Sequence, residues 1–145
     1  MLQLGLGLFV MCFNGFIHGL VLASTGALLE RLKWWAACQP GIMRQTSAMT
    51  CSIVIVMAAH FSGVFVWTAV FLALEILSEL EEALYFSIVA YTTLGFGDII
   101  LDEPWRILSG MIAANGFLLF GWSTAFQIEY LNQLRDAADA TQGEI

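Results

Sequence analysis

The chain has 145 residues, of which 59% are hydrophobic and 12% charged, and its mean hydropathy is +0.81. Soluble domains average about 45–50% apolar and about 25% charged residues, so the composition predicts a membrane protein with a single domain. Five basic residues against twelve acidic ones exclude a basic patch for nucleic acid. Three cysteines, Cys12, Cys38 and Cys51, are too few and too scattered for a disulfide framework or a metal site, and we expect Cys12 and Cys51 to be small core residues.

The first apolar segment, residues 2–29, contains no ionisable group except His18. Its 28 residues exceed the ~20 residues that span a bilayer. A signal peptide would begin with a basic region, and no Lys or Arg precedes Arg31, so we predict a retained transmembrane helix. The spacing of Gly15 and Gly19 fits close helix contact, and a packing seam is favoured over a dedicated dimer motif.

A polar segment, residues 30–45, separates this helix from a second apolar segment, residues 46–74, whose only ionisable group is His60. The polar segment holds three of the five basic residues, so the positive-inside rule places it in the cytoplasm. We therefore predict an additional N-terminal transmembrane helix and a cytoplasmic loop over residues 1–45, followed by a second spanning helix. The three basic residues of the loop are Arg31, Lys33 and Arg44.

The third apolar run, residues 83–97, has only 15 residues. As a helix it would rise about 22 Å, which is too short to cross the membrane. It ends in Thr-Thr-Leu-Gly-Phe-Gly, which is poor helix material. Non-helical backbone at membrane depth is tolerated only where it is buried in protein or lines water. We therefore predict a re-entrant segment, with a short helix over residues 79–92 and an extended return over residues 93–97.

The last apolar segment, residues 107–128, carries no charge and follows Pro104-Trp105-Arg106, a sequence typical of a helix start at the membrane interface. We predict a helix over residues 104–130 and a short cytoplasmic tail over residues 131–145. Three spans and one re-entrant segment place the N-terminus outside and the C-terminus in the cytoplasm. Four of the five basic residues then lie inside, and an acidic cluster before the re-entrant segment lies outside. That cluster is Glu75, Glu79, Glu81 and Glu82.

The return of the re-entrant segment has a composition suited to binding a cation. Gly95 and Gly97 alternate with larger residues, and glycine adopts backbone angles closed to other residues, so successive carbonyls can point to one side. A ring of such carbonyls replaces the water around a dehydrated cation, and the Thr93 hydroxyl adds a further oxygen. Leu94 and Phe96 would point away and pack behind the loop. Because one chain supplies one strand of oxygens, closure of the ring requires an oligomer, with a C4 tetramer as the natural guess.

The stretch YFSIVAYTTLGFGD, residues 85–98, resembles the pore loop of potassium channels, and residues 46–130 resemble the outer helix, pore helix, filter and inner helix of that family. The resemblance implies an all-α membrane protein, a homotetramer whose chains each have three transmembrane helices, a re-entrant pore helix and a selectivity filter. It assigns the filter to Thr93, Leu94, Gly95, Phe96 and Gly97, with K+ bound at the first four, the filter mouth to Asp98, and the filter bracing to Tyr85, Phe86 and Val89.

The last helix extends the resemblance, because Gly116 lies close to where the family's inner helix carries a hinge glycine. Three departures concern the support of the filter. Leu94 replaces the usual valine or isoleucine, Phe96 lacks the hydroxyl of the usual tyrosine, and Val89 stands where some bacterial members have a glutamate. The Pro-Trp-Arg and Asn-Gly-Phe-Leu-Leu-Phe-Gly-Trp-Ser-Thr stretches of the last helix resemble those of short three-span bacterial members of the family, which implies a bacterial inner membrane. The hinge and cavity positions implied are Asn115, Gly116, Phe117, Phe120, Thr124 and Ile128.

Polar groups inside the spans leave alternatives open. His18 and His60 are ionisable at membrane depth, so pH sensing is one hypothesis, and neutral imidazoles hydrogen-bonded between helices are the other. Asn115 either lines the cavity or bonds across helices. The acidic residues on the outer side would concentrate cations at the mouth. They are the four glutamates of the cluster together with Asp98, Asp102 and Glu103.

These observations predict a potassium-selective channel that conducts K+ passively, with membrane lipid and K+ as partners and no cofactor beyond the permeant ion. No span carries the several arginines of a voltage sensor. We expect no enzymatic activity, because the sequence has no nucleophile–base set or metal-ligand spacing. A nonselective cation channel and a non-conducting membrane scaffold or channel subunit are the alternatives.

Overall fold

The computed structural model describes residues 2–31 and 41–142, which form four helices. These are α1 (Leu2–Arg31), α2 (Gly41–Ala73), α3 (Leu80–Tyr91) and α4 (Arg106–Gln142), and the described ranges contain no strand. Three helices are long and apolar enough to cross a membrane, over Leu2–Leu28, Gly41–Ala73 and Arg106–Asp136. The prediction of an all-α membrane protein with three transmembrane helices is confirmed.

The helix bounds differ from the predicted ones at two places. α2 begins at Gly41, so the end of the predicted loop is helical, while residues 32–40 lie outside the described part. α4 begins at Arg106 and continues to Gln142, so the predicted separate tail is mostly helix. The tail contains three Ala, two Leu and two Gln and has no Gly or Pro before Gly143. Such residues are good helix formers. Outside the membrane, water solvates the polar side chains, so the helix continues there without packing against an apolar surface.

A tight reversal after α2 places α3 beside it. Glu75 lies in the left-handed region with a φ of 53°. Its amide donates to the Leu72 carbonyl at 3.0 Å, and the Ile76 amide donates to the Phe71 carbonyl at 2.9 Å. This is the Schellman arrangement, which pairs the free carbonyls at a helix end. Leu77 then returns to the core, which sets the start of α3.

The core lies where α2, α3 and α4 meet. Trp67 and Phe71 of α2, Ala83 of α3, and Leu108 and Ile112 of α4 have no exposed surface. α3 has 12 residues, so it rises about 18 Å and covers roughly half of the hydrocarbon layer. The predicted short re-entrant helix is therefore present, and it is held on two sides by full-length helices.

α1 packs against α2 and α4 through one face. Its buried residues recur every three or four positions, as expected of a helix with a single packed side. A Cβ added at Gly7 or Gly19 would meet Met111 or Trp122 of α4, whereas one added at Gly15 would meet nothing within 4 Å. The seam therefore uses Gly19 but not Gly15. Cys12 is exposed, contrary to its prediction as a core residue, because it lies off this packed face. The buried positions are Gly7, Val10, Asn14, His18, Leu22 and Thr25.

Candidate functional site

The predicted filter, Thr93–Gly97, is attached to the C-terminal end of α3 by backbone hydrogen bonds. The Thr93 amide donates to the Ala90 carbonyl at 3.0 Å. The Leu94 and Gly95 amides both donate to the Val89 carbonyl, at 3.0 and 3.3 Å. The last carbonyls of a helix have no partner within the helix, so these bonds satisfy them while fixing where the loop begins. Val89, predicted as a brace, holds the loop through its backbone.

The backbone of the predicted filter alternates in handedness. Thr93, Gly95 and Gly97 have φ values of 60°, 58° and 77°, and the residues between them, Leu94 and Phe96, are not in the positive region. Alternation of this kind lets successive carbonyls face one side, whereas the carbonyls of a β-strand alternate between two sides. A β-branched residue such as Thr93 rarely adopts a positive φ, and strain of this kind is concentrated at functional sites.

The C-terminal end of the loop is fixed by Asp98. The Tyr85 hydroxyl donates to Asp98 Oδ2 at 2.6 Å, and the Ile99 amide donates to Oδ1 at 3.1 Å. The Tyr85 bond lowers the pKa of the Asp98 carboxyl and raises that of the phenol. Tyr85 is therefore a brace between α3 and the filter mouth. Its hydroxyl holds Asp98 in place, whereas Val89 offers Asp98 no acidic partner.

The N-terminal end of the loop, where it leaves α3 at Tyr91, rests on α4 at Gly116. A Cβ built on Gly116 would overlap the Tyr91 carbonyl oxygen and lie 2.8 Å from the carbonyl carbon. The residue predicted as a hinge is thus a point where two backbones meet, which only glycine allows. Phe86, also predicted as a brace, is buried edge-on against Phe71 with ring centroids 5.3 Å apart. Tyr91 was not predicted as a site residue, although an aromatic residue directly before the Thr-Thr pair was an available signal.

The predicted cavity residues of α4 separate into two groups. Phe117, Thr124 and Ile128 are exposed and recur at intervals of seven and four, so they lie on one side of the helix. This side is free to face a pore or another chain. Phe120 does not share it, because its ring stacks on His60 with centroids 4.1 Å apart.

Asn115 bonds across helices, which was one of its two predicted roles. Its Oδ1 accepts a bond from Asn14 Nδ2 of α1 and another from Trp67 Nε1 of α2, each at 3.0 Å. Asn115 is 3% exposed, so its side chain does not lie on the open face of α4. Three transmembrane helices are therefore tied together at the level of Gly116.

The two predicted histidines belong to one buried cluster. His18 Nε2 and His60 Nε2 both contact Ser123 Oγ of α4, at 2.7 and 3.1 Å. His60 Nδ1 lies 3.2 Å from the Tyr91 hydroxyl. Neither Ser123 nor Tyr91 was singled out from the sequence, because serine and tyrosine are common in membrane helices and nothing local indicates their partners.

Side chains of the predicted filter remain uncovered within one chain. Leu94 is 56% and Phe96 67% exposed, so the expected packing behind the loop is not made by residues of the same chain.

A cavity of about 360 Å³ lies between α3, the loop and α4, and Val89, Gly95 and Asp98 are among its lining residues. Between the loop and α4, Glu103 pairs with Arg106 at 3.8 Å, and both side chains are largely exposed.

Comparison with known families identifies the part of the chain around this loop. The model of a family described as an ion channel, the two-transmembrane potassium-channel pore family, matches residues 48–133, more than half of the chain. No curated protein and no solved structure matches the chain. The matched region covers most of α2, all of α3, the loop and most of α4, and α1 lies outside it. By this match, the chain belongs to the ion-channel family.

Proposed function

We propose that this membrane protein is a potassium-selective channel that conducts K+ passively through a filter formed by Thr93–Gly97. The observation that carries the proposal is the alternating backbone of that loop, with positive φ at Thr93, Gly95 and Gly97. Carbonyl oxygens aligned in this way take the place of the water around K+, and rings at Thr93, Leu94, Gly95 and Phe96 provide successive sites. The permeant ion is the only non-protein component that the mechanism needs, and no step requires an enzyme's chemistry.

The short helix α3 contributes to this function through its direction. Its C-terminal end, Tyr91, leads directly into the loop. The C-terminal end of a helix carries a partial negative charge, which favours a cation at the inner end of the filter. At the outer end, Asp98 is held in place by Tyr85, and the glutamates before α3 add negative charge that attracts cations to the mouth, an effect that salt screens.

A homotetramer completes the site. One chain provides one loop, and four loops around a fourfold axis provide closed oxygen rings. The exposed side chains of Leu94, Phe96 and Phe117 support this assembly, since each is more than half exposed in a single chain. In the tetramer they are covered by neighbouring chains, and Phe117, Thr124 and Ile128 lie near the central cavity.

We place the N-terminus outside and the C-terminus in the cytoplasm of a bacterial inner membrane. Basic residues support this orientation, because Arg31, Lys33, Arg44 and Arg135 then lie on the cytoplasmic side and Arg106 outside. Labelling of single-cysteine variants at each end with an impermeant thiol reagent, in a chain lacking the native cysteines, tests the orientation. Labelling of the C-terminal end in intact cells would contradict it.

The function is tested by reconstituting the purified full chain in planar bilayers with K+ on one side and Na+ on the other. Potassium selectivity predicts a reversal potential close to that of K+. A reversal potential near zero with measurable current would instead indicate a nonselective cation channel. An intact tetramer with no current under any gradient would indicate a non-conducting scaffold or channel subunit.

A further inference from the structure

A hydrogen-bonded chain of four side chains crosses the molecule at membrane depth. His18 of α1, Ser123 of α4, His60 of α2 and Tyr91 of α3 contribute one group from each helix, and we call this set the His–Ser–His–Tyr relay. Its contacts are 2.7, 3.1 and 3.2 Å long in that order. Each of the four residues is at most 4% exposed. The relay therefore connects α1, which lies outside the matched pore region, to the residue that precedes the filter.

The hydrogen-bond capacity of these groups restricts the relay to few states. Ser123 has one proton to donate, so it donates to one imidazole and accepts from the other when both are neutral. A proton added to His60 makes both of its nitrogens donors. The Tyr91 oxygen and the Ser123 oxygen must then accept, and Ser123 donates to His18. One added proton is thus accommodated with every contact kept, but it reorients the bonds along the relay.

A second proton meets a different constraint. The two imidazole rings have centroids only 4.7 Å apart. Two positive charges at that separation in a low-dielectric region repel strongly. His18 Nδ1 is buried without a hydrogen-bond partner, so the pair has no further group to share the charge. The relay therefore has one neutral state and one singly charged state, and the doubly charged state is unfavourable.

No counter-ion surrounds the pair in the described part of the chain. The titratable groups that contact it are the two histidines themselves, from α1 and α2, and Tyr91 from α3. α4 contributes Ser123, Phe120 and Trp122, none of which carries a charge. No carboxylate or basic side chain of the described residues bonds to either imidazole. A single proton taken up there changes the local charge by a full unit without compensation.

The position of Tyr91 gives this charge an effect on the filter. Tyr91 ends α3 and lies two residues before Thr93, and its carbonyl rests on Gly116. The partial negative charge at this helix end favours a cation at the inner end of the filter. A positive charge on His60, which contacts the Tyr91 hydroxyl, opposes that attraction. Reorientation of the bond to the Tyr91 hydroxyl acts on the side chain of the same residue.

A cavity gives protons a route to the relay from one side. It has a volume of about 320 Å³ and lies between α2 and α4, with His60 and Ser123 in its wall. From these residues its lining runs to Met49 and Leu131, towards the beginning of α2 and the later part of α4. In the proposed orientation this is the cytoplasmic side. The relay is thus reached from the cytoplasm, on the opposite side from Asp98.

We propose that the His–Ser–His–Tyr relay is a proton-sensitive control of the filter, and that acidification of the cytoplasmic side lowers K+ conduction. The inference rests on the proposed function of Thr93–Gly97. It assigns α1 a specific role, since α1 supplies one of the two histidines. It also separates two parts of the device: the histidine pair takes up the proton, and the Tyr91 bond transmits its effect.

The test uses the full chain in planar bilayers, with the pH of each side changed separately. Because burial without a counter-ion disfavours the charged imidazole, the proton is taken up only in the acid range. For the native chain we expect cytoplasmic acidification from pH 7 to pH 4 to reduce K+ current severalfold, with little effect of the outer pH in the same range. His60→Gln and His18→Gln should each flatten this response. Tyr91→Phe should also flatten the pH dependence of the current. Proton uptake by the histidines, measured as the pH titration of the imidazole NMR signals, should stay intact in this variant.

A matched control is Ser52→Ala. Ser52 Oγ donates to Gln127 Oε1 at 3.0 Å, so this variant also breaks a partly buried bond between α2 and α4 but removes no titratable group. It should keep the native pH response. Native pH dependence in both histidine variants, with tetramers intact by size exclusion, would overturn the proposal, as would imidazole signals in the native chain that do not begin to titrate between pH 7 and pH 4.

Failure of the proposed function is distinguishable from failure of this inference. If the native chain carries no K+ current at any pH, the function is refuted. The relay is then tested by NMR alone, because it predicts that the Gly95 amide signal shifts with cytoplasmic pH in the native chain and does not shift in His60→Gln. An unshifted native signal would contradict the relay whether or not the chain conducts.

Discussion

Replacement of Gly116 by alanine tests whether the end of α3 is fixed by direct backbone contact with α4. The new Cβ would overlap the Tyr91 carbonyl oxygen and lie 2.8 Å from the carbonyl carbon, against 3.4–4 Å for ordinary contact. The two helices must therefore separate by roughly half an ångström or more, in a core packed as densely as an organic crystal. Because both atoms of Tyr91 belong to the backbone, no side-chain rotation relieves the overlap.

The size of the effect follows from two opposing terms. Alanine in place of glycine inside a helix stabilises it by roughly 0.5–1 kcal/mol. Overpacking of a filled site costs about 1–3 kcal/mol. The same helix offers matched controls in Gly110 and Gly121, where an added Cβ has no neighbour within 4 Å. Because all three variants gain the same helix term, we expect Gly116→Ala to be less stable than either control variant by the overpacking cost alone, about 1–3 kcal/mol per chain.

The assay is denaturant-induced disassembly of the purified protein, together with K+ current in planar bilayers. Gly110→Ala and Gly121→Ala should be as stable as the native chain or more stable, and they should conduct. Gly116→Ala should disassemble at lower denaturant and carry little current, because the inner end of the loop moves with Tyr91. A Gly116→Ala protein with the stability and current of the two controls would refute the contact and leave the hinge as the reason for this glycine.

Three further predictions concern the loop and the helix contacts. Gly95→Ala should abolish K+ current and leave assembly largely intact, since a side chain at a φ of 58° costs about 1–2 kcal/mol per chain; an unchanged current would contradict the assigned backbone. Tyr85→Phe should raise the pKa of Asp98, which its bond to Tyr85 lowers. The bond contributes stability at pH values above the ordinary pKa of a carboxyl, and this contribution is lost as the pH falls through the lowered pKa of Asp98. In the variant, Asp98 should therefore take up its proton at a higher outer pH than in the native chain. Infrared bands of the carboxyl group measure this change, and an unchanged titration would contradict the bond. Asn115→Leu should destabilise the fold by about 1–3 kcal/mol for each buried donor left unpaired, Trp67 Nε1 among them; a denaturation midpoint equal to the native one would count against this contact.

Hydropathy and local motifs were sufficient to predict most of the architecture. Charge-free segments of spanning length located three helices, and a run too short to cross located the re-entrant segment. The alternation of glycine in residues 93–97 predicted an unusual backbone, and positive φ values are found at Gly95 and Gly97. The positive φ at Thr93 was not predicted, because a β-branched residue gives no local signal for it.

Contacts between distant residues were the part that the sequence alone did not reveal. Asn14 and Asn115 lie 101 positions apart, and His18 and Ser123 lie 105 apart. Each is a polar residue in an apolar run, which indicates that a partner is needed but not which one. Tyr85 is a comparable case at shorter range, since its hydroxyl supports Asp98 from 13 positions away.

These contacts give α1 a defined place beside the pore region. Its buried face carries Asn14 and His18, and both reach α4 at or near the level where Tyr91 meets Gly116. Removal of polar partners inside a membrane leaves groups that neither water nor lipid can satisfy. α1 therefore supports the base of the loop as well as adding a third span.

The central claim is that Thr93–Gly97 of four chains forms rings of oxygen atoms around K+. It is tested most directly by a density map of the purified tetramer in Rb+, whose anomalous signal distinguishes the ion from water. The account predicts a file of ion peaks on a fourfold axis, between carbonyl oxygens of successive residues from Thr93 to Phe96. Loops that do not meet on a common axis, or a fourfold loop with no ion density between its carbonyls, would contradict it.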